Sequence, residues 1–198
     1  MAIEKTRIVF GISTGAMMLI AGAVSADTVQ DQSAFDKNAY GWDSVAGSAN
    51  QQIADDFRLK SAGKVVKLNW TGKYHDGAVA GRKLFEIVIF ADRKGVPGKI
   101  VHVETVKSRG VDTGVSDIGD HNLLSYKTSL KQSPRLSMNK TYWLTIRESD
   151  PTTKSRWSWS FYKGNVAGGF SYRLGQEKAW SVGSRDMAYA LSVSEAKY

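Results

Sequence analysis

The chain has 198 residues, of which 42% are hydrophobic and 23% charged, as in an ordinary folded domain rather than a disordered or fibrous chain. Cysteine is absent and there are only three histidines, so disulfide frameworks, thiolate zinc sites and cysteine nucleophiles are excluded, and a histidine-rich metal centre is not expected. The formal net charge of +8 makes the protein basic.

The N-terminus has the three parts of a secretory signal. Lys5 and Arg7 precede an uncharged, largely apolar run over residues 8–24, and Val24-Ser25-Ala26 supplies the small residues that a signal peptidase accepts. A retained membrane anchor is the alternative, but the run is shorter than the roughly 20 residues that span a bilayer. We therefore predict a signal peptide over residues 1–26 and a secreted, extracellular or cell-surface protein without a retained membrane span.

The remaining chain divides into a polar segment and a long series of strands. Residues 27–50 contain few large apolar side chains, which predicts a leader segment that lies across the surface of the domain. From residue 51 onward, apolar and polar residues alternate in short segments separated by turn residues. The predicted strands cover residues 53–59, 66–74, 84–91, 100–106, 123–130, 142–147, 155–162, 170–174 and 187–193.

This pattern predicts an all-β fold. After the signal, no segment shows the sustained apolar stripe of a helix, and no repeat or low-complexity linker divides the chain. Residues 84–91 are apolar on both faces apart from Glu86, which is typical of a central strand. We predict a single antiparallel β-sandwich over residues 51–198, jelly-roll-like, with about nine strands.

Aromatic residues are the most informative side chains for function. Trp157 and Trp159 alternate with serines, so both rings share one face of a strand, and the simplest interpretation places at least one of them in the core. Rings that stay exposed would contact a ligand, as in proteins that bind the apolar faces of sugars. We predict ligand contact at Trp180, which lies in a polar stretch, and at Tyr74 and Trp42. The alternative for Trp42 is that it fastens the leader segment.

Two adjacent carboxylates, Asp55 and Asp56, fall within the first predicted strand. Because neighbouring residues of a strand point to opposite faces, one of them is expected to turn inward, where it needs a partner. Hydrogen bonds from backbone amides are the simpler interpretation. The alternative is a structural calcium ion held by Asp55, Asp56 and Asp186, with Asp92 as a further ligand; no other cofactor is expected.

The basic residues are spread along the chain, and Lys64, Lys67 and Lys73 fall on or beside the polar face of one predicted strand. Such a face attracts anionic polymers over long distances. The plainer interpretation is a solvated face that also protects sheet edges from pairing. The histidines are interpreted as isolated surface or core residues, at positions His75, His102 and His121.

No motif of a known catalytic site occurs after the predicted signal peptide: GxSxG, HExxH, GxxxxGK[ST] and GxGxxG are all missing there. Glycoside hydrolysis needs two carboxylates that face each other across a cleft, and the sequence alone cannot pair its carboxylates. We therefore assign no catalytic residues.

Several short segments, in their order along the chain, resemble a bacterial exported β-sandwich domain of the kind often found in PEP-CTERM-type surface proteins. They are QIADDF (52–57), LNWTGKY (68–74), FEIVIFAD (85–92), GVPG (95–98), TYWLTI (141–146), WSW (157–159), and Trp180 with DMAYAL (186–191). The resemblance implies an extracellular sandwich and brings no catalytic residues with it. One departure is that no hydrophobic sorting tail follows the last strand, which favours free secretion or surface assembly over anchoring by that route.

Together these observations predict a non-catalytic protein, secreted or at the cell surface, that binds carbohydrate or extracellular matrix. Its partner would be a polysaccharide or an anionic extracellular polymer. The alternative is a structural subunit that self-associates into an extracellular assembly or surface coat. A glycan-active hydrolase or lyase is the third interpretation. Specific nucleic-acid recognition is not expected.

Overall fold

The computed structural model describes residues 26–46, 50–77, 81–132, 134–149, 156–164, 169–175 and 178–195. Within them the protein is all-β, with fourteen strands and no helix, so no described segment forms a helix fit to cross a membrane. The strands are β1 (Ala26–Gln32), β2 (Trp42–Asp43), β3 (Gln51–Arg58), β4 (Gly63–Tyr74), β5 (Arg82–Asp92), β6 (Pro97–Arg109), β7 (Val111–Ser116), β8 (Asn122–Ser129), β9 (Arg135–Leu136), β10 (Thr141–Glu148), β11 (Trp157–Trp159), β12 (Phe170–Leu174), β13 (Ser181–Val182) and β14 (Tyr189–Glu195). Of the predicted signal peptide, residues 1–26, all but Ala26 lie outside the described part of the chain.

The strands form two antiparallel sheets. The larger sheet has eight strands. Strands β14 and β11 pair with successive parts of one edge of β4, and β8 and β9 pair with its other edge. Farther out, β1 pairs with β14, β2 with β11 and β7 with β8. The smaller sheet has six strands, in the order β13-β12-β3-β10-β5-β6. Strand β4 is therefore the hub of the larger sheet, and β10 lies between β3 and β5 in the smaller one.

One hydrophobic core fills the space between the sheets. Alternation along β4 turns Leu68, Trp70 and Tyr74 into this core, and alternation along β10 turns Tyr142 and Leu144 toward it from the opposite sheet. The two sheets are thus joined by burial of large apolar side chains, which is the dominant favourable contribution to folding.

Aromatic rings make up the centre of this core. Trp70 stacks on Tyr126 with ring centroids 5.5 Å apart, and Phe85 meets Trp157 edge to face at 5.1 Å. Trp157 and Trp159 are both fully buried, which confirms the prediction that at least one of them lies in the core. Edge-to-face and stacked pairs of this kind contribute about 0.5–1.5 kcal/mol each beyond the area they bury.

The all-β, antiparallel fold is confirmed, and every predicted strand is present, but the count of about nine is wrong. Five further strands complete the sheets: β1, β2, β7, β9 and β13. Three of these have only two residues and the other two are polar, so none shows the apolar alternation that identifies a strand. Because β1 pairs with β14 and β2 with β11, the predicted leader segment is part of the larger sheet.

Strand β5 is covered on both faces, as its sequence predicts. Its inward residues belong to the main core. On the outer face of the smaller sheet, Val88 and Phe90 form a second cluster with Ala54 and Trp143, and Trp180 packs against it. The outer side of the smaller sheet therefore carries a second, smaller buried apolar cluster at its centre.

Replacing Trp157 with alanine is expected to cost about 3–5 kcal/mol of unfolding free energy, because it leaves a large cavity between the two sheets. The matched control is Tyr40→Ala, since Tyr40 is 56% exposed and its removal should cost less than about 1 kcal/mol. Urea denaturation followed by far-ultraviolet circular dichroism measures both. Equal losses for the two variants would contradict the packing described above.

Candidate functional site

The outer face of the smaller sheet carries a partly exposed tryptophan that its neighbours hold in place. Trp180 lies just before β13, and its ring meets that of Phe90 edge to face at 5.9 Å. The guanidinium carbon of Arg173, on β12, lies 4.5 Å from the centroid of the Trp180 ring. Trp180 keeps part of its surface in contact with solvent, so the ring is both oriented and accessible.

Planar polar groups beside this ring are also fixed by hydrogen bonds. Arg173 donates from Nε and from Nη2 to Oε1 of Gln52, at 2.8 and 2.6 Å. On β10, which pairs with the strand that carries Gln52, Trp143 donates from Nε1 to Oδ1 of Asp92 at 2.9 Å. These contacts hold two aromatic rings and two polar groups in defined orientations on one sheet face.

Asp56 lies on the same face, directly opposite Trp143 in the β3–β10 pairing. Burial raises the pKa of its carboxyl to about 6, and repulsion from the carboxylates of Asp186 and Asp92 adds to this. Asp56 therefore changes its charge in the weakly acidic range.

We call this surface the Trp180 face. Its partly exposed residues are Asp56, Arg173 and Trp180, and the buried Gln52 and Trp143 belong to the layer beneath them. The aromatic ring offers its π surface to apolar groups, and the neighbouring guanidinium and carboxyl groups offer hydrogen bonds. An apolar centre with a few oriented polar groups is typical of small-molecule recognition surfaces. The prediction of an accessible ring at Trp180 agrees with this geometry.

The expected exposure of Tyr74 is wrong. The residue is 1% exposed, and its hydroxyl donates to Oε1 of Glu148 at 2.7 Å inside the core. Burial, together with its tyrosine and glutamate neighbours, raises the pKa of the Tyr74 hydroxyl far above its usual range. Tyr74 shares its strand face with Leu68 and Trp70, so the alternation of β4 already contained the signal for burial.

Trp42 is partly buried and packs on the core rather than standing free. Its ring centroid lies 5.2 Å from that of Phe170 and 5.0 Å from that of Tyr172. Strand β2, which contains Trp42, pairs with β11. The structure thus agrees with the second interpretation of this residue, in which it fastens the segment before residue 50.

The adjacent carboxylates Asp55 and Asp56 point to opposite faces, as predicted. Asp55 is fully buried between the sheets and accepts hydrogen bonds from the backbone N–H groups of Met187, at 2.8 Å, and Asp56, at 3.0 Å. Burial raises the pKa of Asp55 well above its usual value, and the charges of Asp186 and Asp56 raise it further. Backbone amides are therefore the partners of the inward carboxylate.

The alternative interpretation, a structural calcium ion at Asp55, Asp56 and Asp186, stays a prediction. Within the described ranges, no group of three or more acidic or histidine side chains is arranged to hold a metal ion. Both oxygens of Asp55 accept from backbone amides, and Asp186 accepts from the N–H of Gly169 at 3.1 Å. The carboxylates of Asp55 and Asp186 therefore act as acceptors for backbone N–H groups.

A cluster of charged residues that the sequence did not predict lies at the end of β4. The ammonium group of Lys73 forms an ion pair with Asp117, and both side chains are shielded from solvent. Asp117 also accepts hydrogen bonds from the backbone N–H groups of Gly119 and His121. Burial alone raises the pKa of Asp117, but these hydrogen bonds and that of Lys73 outweigh it, so the pKa is lowered.

The interpretation of His75 and His121 as isolated residues is wrong, because their rings lie 5.8 Å apart at the edge of this cluster. His75 Nε2 lies 2.8 Å from Oδ1 of Asp43 and 2.7 Å from Oγ of Ser158, and Ser158 donates to the same Asp43 oxygen at 2.6 Å. A serine nucleophile needs its base and the orienting acid on different ring nitrogens. Here Asp43 and Ser158 both contact Nε2 of His75, and they also contact each other, so the three residues do not form a catalytic triad.

Comparison of the chain with models of known protein families gives no match, and comparison with curated protein sequences gives none either. The resemblance to bacterial exported β-sandwich domains therefore remains a prediction from the sequence.

Breaking the Lys73–Asp117 pair is expected to destabilise the protein by about 3–5 kcal/mol, because the remaining charge stays buried without its partner. Lys73→Met and Asp117→Asn each test this. The double variant should lose clearly less than the sum of the single losses, since neither charge is left alone. A double-mutant cycle measured by urea denaturation checks the coupling, and strictly additive losses would contradict it.

Asp56 should make stability fall as pH rises from about 4 to above 6. Its pKa is raised from 3.8 to about 6 on folding, so the folded state binds more protons than the unfolded state in this window. Asp56→Asn should match the wild type near pH 4 and exceed it in stability at pH 7.5. Urea denaturation at both pH values measures this, with the exposed Asp120→Asn as control. A gain for Asp56→Asn that is equal at both pH values would contradict the assignment.

Proposed function

We propose that this protein is a non-catalytic, secreted or cell-surface binding protein that recognises a carbohydrate of the extracellular matrix at the Trp180 face. The proposal includes a single jelly-roll-like sandwich built from the two sheets. The observation that supports it is the accessible Trp180 ring, which Phe90 and Arg173 hold in place beside oriented polar groups.

The chemistry of a sugar ring suits this surface. One side of a pyranose presents C–H groups that pack on an aromatic ring, and its hydroxyls both donate and accept hydrogen bonds. The Arg173 guanidinium is already held by the amide oxygen of the buried Gln52, so little side-chain freedom of Arg173 is lost when a ligand binds. Pre-organised side chains of this kind favour a neutral glycan, whose binding does not depend on long-range charge.

Replacing Trp180 with alanine should abolish retardation of the protein by the neutral glycan that it binds. The measurement is native affinity electrophoresis in gels that contain neutral or acidic polysaccharides, at low and at high salt. Trp180→Tyr, which keeps an aromatic ring, should retain part of the retardation. Binding to a neutral glycan should persist at high salt, because apolar and hydrogen-bond contacts are not screened.

Leu174→Ala is the matched control for this experiment. Leu174 is also exposed on β12, next to Arg173, but alternation turns it to the other face of the strand. Near-ultraviolet circular dichroism verifies that each variant is folded. Equal retardation of wild type and Trp180→Ala, or no retardation of the wild type by any neutral glycan, would overturn the proposal.

A structural subunit is the second candidate function, and strand β6 favours it. This strand has thirteen residues and lies at the edge of the smaller sheet, where Ile100, Val101 and Val103 are exposed. A long edge strand with exposed apolar residues invites pairing with another chain. Sedimentation of the purified protein into large assemblies, abolished by Val101→Lys, would support this function over glycan binding.

A further inference from the structure

We propose that the outer face of the larger sheet binds an acidic polysaccharide, a glycan that carries carboxylate groups, in a groove centred on Asn69. This surface lies on the opposite sheet from the Trp180 face and does not depend on the function proposed there. We call it the Asn69 groove and define it by Lys64, Lys67, Asn69, Lys127 and Arg135.

The groove is a real concavity. A space of about 480 Å³ is lined by Lys67, Asn69, Lys127, Thr128 and Ser129. A second recess of about 150 Å³ continues from Asn69, which lines both, and its polar lining residues include Ser33, Thr71, Thr113 and Ser125. The two recesses therefore lie side by side along β4, long enough for more than one sugar residue.

Strand pairing places the positive charges of the groove in adjacent rows. Lys64 is opposite Arg135, Lys67 is opposite Ser129, and Asn69 is opposite Lys127 in the register of β4 with its neighbours. Directly opposite residues share a sheet face, and rows two residues apart are about 7 Å from each other. The four basic side chains thus form one exposed cationic surface.

No carboxylate neutralises this surface among the side chains that the structure describes. Neither of the lysines that line the groove, Lys67 and Lys127, forms a salt bridge there, whereas Lys73 on the same strand face is paired with Asp117. The acidic residue that shares a row with Asn69 is Asp31 on β1. Two strands, β14 and β4, lie between Asp31 and Lys127, so three strand spacings of about 4.8 Å place them about 14 Å apart. Its carboxylate already accepts hydrogen bonds from Ser33.

The neutral groups of the groove favour a polysaccharide over a nucleic acid. The amide of Asn69 and the hydroxyls of Ser125, Ser129 and Thr71 match the hydroxyls of sugar rings, which donate and accept. Single-stranded nucleic acids need successive exposed aromatic platforms among the cations. The basic recess is lined by no aromatic side chain, and of the three aromatic residues that line the second recess Trp70 and Tyr189 are buried, which leaves Phe35 alone partly exposed. Binding of duplex nucleic acid relies on many phosphate contacts, and the four basic residues of the groove provide too few of them.

The test is the affinity of the full-length mature protein for polygalacturonate, measured by isothermal titration calorimetry at several salt concentrations. Lys67→Gln/Lys127→Gln should weaken binding about tenfold or more and flatten its dependence on salt, because two charge contacts are lost. The matched control is Lys99→Gln/Lys107→Gln, which removes the same charge from exposed positions on β6 and should change the affinity less than twofold. Asn69→Ala should weaken binding without altering the salt dependence.

Each other outcome overturns the proposal. Equal weakening by the two double variants would show that net charge alone attracts the polymer. Tighter binding of duplex DNA than of polygalacturonate at the same ionic strength would assign the surface to nucleic acid. Absence of binding to polygalacturonate at 50 mM salt would show that the Asn69 groove is not a binding site for acidic polysaccharides. Trp180→Ala should leave polygalacturonate binding unchanged, so failure of this proposal and failure of the neutral-glycan proposal are separately visible.

Discussion

The rest of the structure depends on the pairing of strand β4. It bonds to β14 and β11 along one edge and to β8 and β9 along the other, so it sets the register of the larger sheet. Because neighbouring side chains point to opposite faces, the same register places Leu68 and Trp70 in the core and Lys67 and Asn69 outside. A slip by one residue would exchange these faces, and burial of the large rings prevents it.

The buried charges are held in two different ways, and each joins segments that are distant in the chain. Asp117 is paired with Lys73, which fastens the connection between β7 and β8 onto β4. Asp55 has backbone amides as partners and links β3 to the segment before β14 through Met187. A buried ion pair adds little net stability compared with apolar packing, but losing one partner is costly. These contacts therefore disfavour other arrangements of the strands, in which the buried side chains would lose their partners.

The two proposed binding surfaces lie on opposite sheets and would differ in the physical basis of recognition. The Trp180 face combines a fixed ring with side chains that already satisfy one another, so its contacts are short-ranged and insensitive to salt. The Asn69 groove carries exposed cations without described acidic partners, so its attraction is long-ranged and screened by salt.

Period-two alternation was enough to predict the antiparallel all-β fold, the inward turn of Trp157 and Trp159 and the separation of Asp55 from Asp56, because these features depend on local pattern. The two-residue strands were missed because their pairing depends on the partner strand, and Tyr74 was misplaced although its alternation with Lys73 was visible. Only the tertiary structure decided that Lys73 meets Asp117, 44 residues away, and that Arg173 holds Trp180. Sheet order and register determine such contacts, and no local pattern of residues encodes them.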